Sequence, residues 1–326
     1  MAFVIVSARR WSAALSRYGL LLALVLVFAV FTLIAPTFAT PANLLSILVN
    51  NFALLAIVSV AMTLAVAAGG IDLSVGTAID FASFAFVSLV LSGYSVPLAI
   101  IAALLAGGVV GLFNAILISG IGVSPFLATL GTLFIGRSVQ QLATNGGNPV
   151  YLPPNGVPDA FRFIGHGTVV GLPVPLLLAL LVVGFGTVIL TGTRFGRIVT
   201  AIGIQSSVVR YSGLGVGRTV AVAFIASGII AALAGLVLTA TVTVYIPLSG
   251  NAFLLNAIGA TFIGTTLSPN RRPNVAGTAI GVLLLGIVAN GLLISGLNFY
   301  WQQVGTGTLI FLVLAFSFVS RKPAAG

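Results

Sequence analysis

Apolar residues run almost unbroken along this chain, interrupted at intervals by short clusters of Gly, Pro and polar residues. Each uninterrupted stretch is about as long as a bilayer-spanning helix, and none has the strict alternation of an outer-membrane strand. Lipid offers no partner to a backbone N–H or C=O, so such stretches fold as helices. Breaking the chain at the clusters predicts about ten of them, at 19–35, 44–68, 73–92, 96–118, 125–144, 174–191, 219–242, 252–267, 275–295 and 303–319. The expected fold is an all-α integral membrane protein. Residues 1–326 form a single transmembrane domain, with a first half over about 19–144 and a second over about 174–319.

Composition agrees. The chain is 59% hydrophobic and 5% charged, where a soluble domain carries roughly 25% charged residues. Cysteine is absent, which excludes disulfides and thiolate metal sites. Arg9, Arg10 and Arg17 precede the first apolar run as in a signal peptide. No small-residue cleavage site stands out, however, and the run is long enough to span, so a retained first helix is expected. The net charge of +10 reads as arginine held on the cytoplasmic side rather than as a nucleic-acid surface. With the N-terminus inside, the predicted inner segments hold Arg9, Arg10, Arg17, Arg194, Arg197, Arg210, Arg218, Arg271, Arg272, Arg321 and Lys322. Only Arg137 and Arg162 fall elsewhere. One miscounted span would scatter this pattern, so both termini are predicted to lie inside.

"NAILISG" at 114–120 returns as "NGLLISG" at 290–296, a displacement of 176 (290 against 114). Gly131 and Gly307 share that displacement, and Gly107/Gly111 and Gly277/Gly281 share a four-residue spacing. "IDLSVG" at 71–76 is fainter in "IPLSGN" at 246–251. The two copies close spans of opposite direction, which predicts an inverted 5+5 repeat of the kind transporters use.

The most polar stretch is the inside loop 192–218, with four arginines, no acid and a segment at 204–211 able to form about two helical turns. On physical grounds it is either a solvated basic loop or a docking element for a cytoplasmic partner.

"AAGGIDLSVG" at 67–76, "PFLATLGTLFIGRSV" at 125–139 and "TRFGRIVTAIGIQSSVVRYSGLGVGR" at 193–218 resemble the permease subunits of bacterial ABC importers for monosaccharides, the ribose, xylose, arabinose, galactose and autoinducer-2 systems. The resemblance covers nearly the whole chain, with the motifs in the family's order. It implies import of a monosaccharide or similar small polyol across the bacterial inner membrane by alternating access. It implies a separate ATPase subunit carrying ATP and Mg, a second permease copy or close paralogue, and a periplasmic or lipid-anchored sugar-binding protein. It places an ATPase-coupling helix in 201–213, making Arg197, Ile204, Gln205, Ser206, Arg210 and Tyr211 the coupling residues. The chain departs from the family at Ile204 and Gln205, and at 253–267, where relatives usually carry acids and this chain has Asn256. The second departure fits a member of a heterodimeric pair or a different substrate.

Asp72 is one of three acidic residues. With Gly69 and Gly70 ending a span, Asp72 or Ser74 is expected to cap the next helix, a direct role toward substrate being the other reading. Asp80 lies within a span, where an ionisable group needs a partner or a function. Arg137 is the only basic candidate inside a span. By about 1.5 Å per residue it lies deeper than Asp80, so a pair requires tilt or side-chain reach. A neutral sugar path needs amides and aromatics. Asn114, Gln140, Asn256, Asn290 and Phe126 are candidates beside Asp80 and Arg137, the commoner role of such amides being to join helices. The outside loop 145–173, rich in Pro and Gly, either touches a binding protein or only connects.

No G-x-x-x-x-G-K-[ST] occurs, so the chain cannot cradle ATP itself, and no enzyme activity, cofactor or metal site is expected in it. An ion-coupled carrier remains the alternative, with Asp80 its only candidate carboxylate near mid-membrane.

Overall fold

A computed structural model describes residues 19–153, 156–268 and 271–319. The expectations placed on Arg9, Arg10, Arg17, Arg321 and Lys322 lie outside those residues.

Each of the ten stretches read from the sequence is helical, with ends shifted by a few residues. The first half contains α1 (Gly19–Ile34), α2 (Pro41–Ala67), α3 (Val75–Leu91), α4 (Val96–Ile121) and α5 (Pro125–Ala143). The second contains α7 (Val174–Gly192), α9 (Val216–Val242), α10 (Asn251–Thr265), α11 (Val275–Ile294) and α12 (Phe299–Val319). Two further helices lie in the loops: α6 (Asp159–His166) and α8 (Arg194–Tyr211). Proline stands in the first turn of α2, α4, α5 and α7, where its missing N–H costs nothing. Each of α2 and α4 contains a π-helical segment, Ile47–Ala53 and Ile116–Ile121.

Five helices, α2, α4, α7, α9 and α11, are long and apolar enough to cross a bilayer, and α1, α3 and α10 are shorter apolar helices. The protein is therefore a helical, multi-span membrane protein.

The central helix is α9, which packs along α4, α3 and α2. It approaches α4 through glycine: a Cβ on Gly228 would sit 2.3 Å from the Gly107 carbonyl oxygen. Backbone contact of this kind gives dispersion where lipid supplies no hydrophobic drive.

The loop 145–173 is built onto the bundle. Strand β1 (Val150–Tyr151) pairs antiparallel with β4 (Val244–Tyr245), which follows α9. β2 (Thr168–Val169) and β3 (Leu172–Pro173) form a hairpin. Phe161 of α6 is fully buried and stacks on Phe86 of α3, ring centroids 4.7 Å apart.

The stretch 192–218 also differs from expectation. It is not a loop with two helical turns but one 18-residue helix, α8, broken at Gln205 (φ −159, ψ 94). The Thr193 hydroxyl caps its start by accepting from Gly196 N–H.

Candidate functional site

The turn between α2 and α3 carries Asp72, buried to 1% exposure. One carboxylate oxygen accepts from the Ser74 N–H (3.0 Å) and hydroxyl (2.7 Å), and the other from the Ser227 hydroxyl of α9 (3.1 Å). The Ser74 hydroxyl accepts in turn from the Asn114 amide of α4 (2.6 Å), whose oxygen accepts from Thr132 of α5 (2.6 Å). The side-chain donors Thr132, Asn114 and Ser74 run in sequence toward Asp72, so a carboxyl group isolated from water is met by a directed set of dipoles. The expected cap takes another form. Ser74 occupies the N-cap position of α3 without a side-chain cap bond, and Asp72 closes an Asx-type turn onto Ser74 instead. The physical reason is direction: the carboxylate turns inward to Ser227 rather than along the axis of α3.

Gly69, at φ +89, brings this turn against α8. A Cβ there would lie 3.4 Å from the Gly203 Cα, and one on Gly203 would lie 2.5 Å from the Ala67 carbonyl oxygen. On the near side of the turn, a Cβ on Gly70 would strike Pro125 of α5 at 2.4 Å. Only glycine admits this approach. Beyond the break at Gln205, α8 rests on the bundle through one side only. Val209 is buried, while Ser206, Val208, Arg210 and Tyr211 are exposed, as are Ile204 before the break and Arg197 in the first part. Ile204, Val208 and Tyr211 thus present apolar surface beside Arg210 at a helix end that no other described residue of the chain covers.

Asp80 of α3 does not pair with Arg137. It accepts from the Gly250 N–H (2.7 Å) and the Ser249 hydroxyl (3.2 Å), which lie at the start of α10. A carboxylate there satisfies a free N–H and meets the positive end of the helix dipole, so the cap expected of Asp72 is supplied by Asp80, to a different helix. Gly76 and Gly250 touch beside it; a Cβ on Gly250 would lie 2.4 Å from the Gly76 carbonyl oxygen. The 17 residues of α3 and 15 of α10 span about 25 Å and 22 Å, short of a roughly 30 Å hydrocarbon core. Two short helices therefore begin side by side inside the bundle, joined by one carboxylate.

The other polar candidates separate into two groups. Gln140 is buried, its oxygen accepting from the Tyr245 hydroxyl (3.1 Å) and the Leu248 N–H (2.9 Å). Asn290 exchanges two amide bonds with Asn43 of α2, at 3.0 and 3.1 Å. With Asn114, these join helices. Phe126 and Arg137 instead lie on the exposed face of α5, with Phe134, and Asn256 is half-buried on α10. Sequence reasoning missed Ser227, Gly203, Ser249 and Asn43. Of these, Gly203 had a signal, since it lies within 201–213, the stretch the resemblance assigns to the coupling helix.

The family model described as branched-chain amino acid transport system, permease component, matches residues 44–314. The chain is 32% identical to the ribose import permease protein RbsC of Bacillus subtilis over 311 residues, covering 95% of this chain and 94% of that protein. It is 33% identical to the D-allose transport system permease protein AlsC of Escherichia coli over 303 residues, 92% and 90% of the two chains. To the autoinducer 2 import system permease protein LsrD of Yersinia enterocolitica it is 33% identical over 273 residues, 83% and 82%. No solved structure matches the chain.

Proposed function

Because the chain belongs to this family of ABC-importer permeases, we propose that it moves a monosaccharide or similar small polyol across the bacterial inner membrane by alternating access, driven by a separate ATPase. The carrying observation is the outer part of α8, whose exposed Ile204, Val208, Arg210 and Tyr211 form an uncovered docking end fixed to the Asp72 turn through Gly203. The partner ATPase holds ATP and Mg and presses on α8, and the turn passes that motion to α3, α4, α5 and α9. A rigid element touching a polar junction of four helices is a device for rocking one unit against another.

The reading includes ten spans with both termini inside and an inverted repeat within one permease domain. Helix bounds support the repeat: α2 and α9 both have 27 residues and begin at 41 and 216, while α3 and α10 begin at 75 and 251. A second copy or paralogue faces the exposed side of α5, where Phe126, Phe134 and Arg137 line the path between protomers. The binding protein meets the outside loop around α6. An ion-coupled carrier is disfavoured because the relatives are import and transport-system permease proteins that share nearly the whole chain.

Replacing residues 206–211 by a Gly/Ser linker is expected to abolish recovery of the ATPase in a pull-down from detergent, with the permease still monodisperse. Undiminished recovery would refute α8 as the coupling element. Since cysteine is absent, single cysteines report sidedness directly. Val170→Cys, 98% exposed, should react with an impermeant maleimide in intact cells, and Val208→Cys only after permeabilisation. The reverse pattern would invert the topology.

A further inference from the structure

A groove of about 530 Å³ opens between α7 and α9 and reaches inward to α2 and α11. Its wall is apolar almost throughout: Phe185 and Ile189 on α7, Ala226 and Ile229 on α9, Leu64 on α2 and Val275 on α11. Water has nothing to bond there, and a sugar would lose its hydroxyl partners. The occupant that matches is a flexible hydrocarbon.

Charge at one end of the groove narrows the choice. Arg194 stands between two lining residues, Thr193 and Phe195. Arg218 lies one turn before Val222, and 218, 222, 226, 229 and 233 run along one face of α9, of which the last four line the groove. Arg272 comes three residues before the lining Val275. All three arginines are exposed: Arg194 opens α8, Arg218 lies in the first turn of α9, and Arg272 precedes α11. An apolar slot reaching into the bundle, with arginines beside or within a turn of its lining residues Thr193, Val222 and Val275, fits a chain and a headgroup of opposite character.

We infer that this groove binds one acyl chain of an anionic phospholipid whose phosphate is held by Arg194, Arg218 and Arg272. The inference rests on the proposed orientation only in assigning the lipid to the inner leaflet. The bound chain fills the space beside the α7–α8 junction, so the lipid bears on the helix that meets the ATPase. Phosphate suits arginine through paired N–H donors, and each such charge near an anionic surface changes affinity by about five-fold.

The test is lipid retention by native mass spectrometry, on purified permease delipidated and then exposed to equal phosphatidylglycerol and phosphatidylcholine of the same chains. Wild type should keep phosphatidylglycerol preferentially. Arg194→Gln with Arg218→Gln should lower that preference by about ten-fold or more, phosphatidylcholine being weakened less because choline offsets the charge of its phosphate. Ile229→Trp, which fills the groove, should lower retention of both lipids. Equal retention of the two lipids by wild type would overturn the proposal, as would a preference that survives the double arginine variant. A monodisperse elution profile for each variant separates loss of the site from loss of the fold. The sidedness of Val208→Cys is read independently, so failure of the orientation is distinguishable from failure of the lipid site.

Discussion

Asp72→Ala is expected to lower the apparent Tm of the permease in nanodiscs by roughly 5–10 °C, whereas Asp72→Asn stays much closer to wild type. Alanine leaves the Ser74 N–H, the Ser74 hydroxyl and the Ser227 hydroxyl without their acceptor, all at sites closed to water. An unsatisfied buried donor costs about 1–3 kcal/mol. The two hydroxyls can rotate, and Ser227 can turn back to a carbonyl of its own helix, which recovers part of that loss. Removing a carboxylate from a low-dielectric site also returns its desolvation cost. The net effect is therefore below the sum of three lost bonds, at about 2–4 kcal/mol. Asparagine keeps an oxygen for Ser74, and its amide can donate to Ser227 after that hydroxyl rotates. Unfolding of a membrane protein is read as a rate-dependent midpoint, so all variants need one scan rate. Transport then decides between the roles of Asp72. If it organises the turn, Asp72→Asn transports within several-fold of wild type. A variant that is stable but silent would instead put the charge itself in the transport step.

How much of this could be read beforehand depended on the length scale of the signal. All ten long helices were legible because each is recorded redundantly, by a run of apolar residues and by Gly or Pro punctuation. Arg194–Tyr211 was harder. Its apolar stripe, Phe195, Ile198, Val199 and Ile202, is only two turns long and set among arginines, and the helix is broken where Gln205 leaves the helical region, so only its outer end read as helix. The site was legible as a set of residues but not as a set of partners. Asp72 and Asp80 stand out in any reading because charge is so rare here, yet their bonds cross 155 and 170 residues of chain. Nothing local tells that Ser227 faces one and Gly250 the other. Asp80 was weighed against Arg137 because both lie in spans, but α5 turns Arg137 outward while its buried stripe, Thr132, Gly136 and Gln140, packs inward. Rotation about a helix axis is fixed by neighbours, and in lipid both faces of a helix are apolar, so the pattern carries little phase information.

The largest functional effect is expected at Gly203. Gly203→Leu should leave the permease monodisperse and still able to recover its ATPase, yet reduce transport by about ten-fold to a hundred-fold. The side chain cannot fit where α8 rests on the end of α2, because even its first carbon would lie 2.5 Å from the Ala67 carbonyl oxygen. That atom is backbone at a helix end and cannot move aside cheaply. The helix must lift, at the roughly 1–3 kcal/mol that overpacking commonly costs. The core is spared because Gly203 sits at its edge, with the exposed part of α8 following directly. Most of the docking surface, Val208, Arg210 and Tyr211, is also spared, since those residues lie beyond the break at Gln205; only Ile204 adjoins the substitution. What is lost is the seat through which a displacement of α8 reaches Gly69 and, three residues on, the Asp72 junction. ATP hydrolysis measured with and without substrate-loaded binding protein makes the distinction. An uncoupled variant hydrolyses ATP at a rate that substrate no longer changes, while a docking defect removes hydrolysis by the complex altogether. Transport and stimulation both preserved in Gly203→Leu would show that force reaches the bundle through another contact, and α8 would then be an anchor for the ATPase rather than its lever.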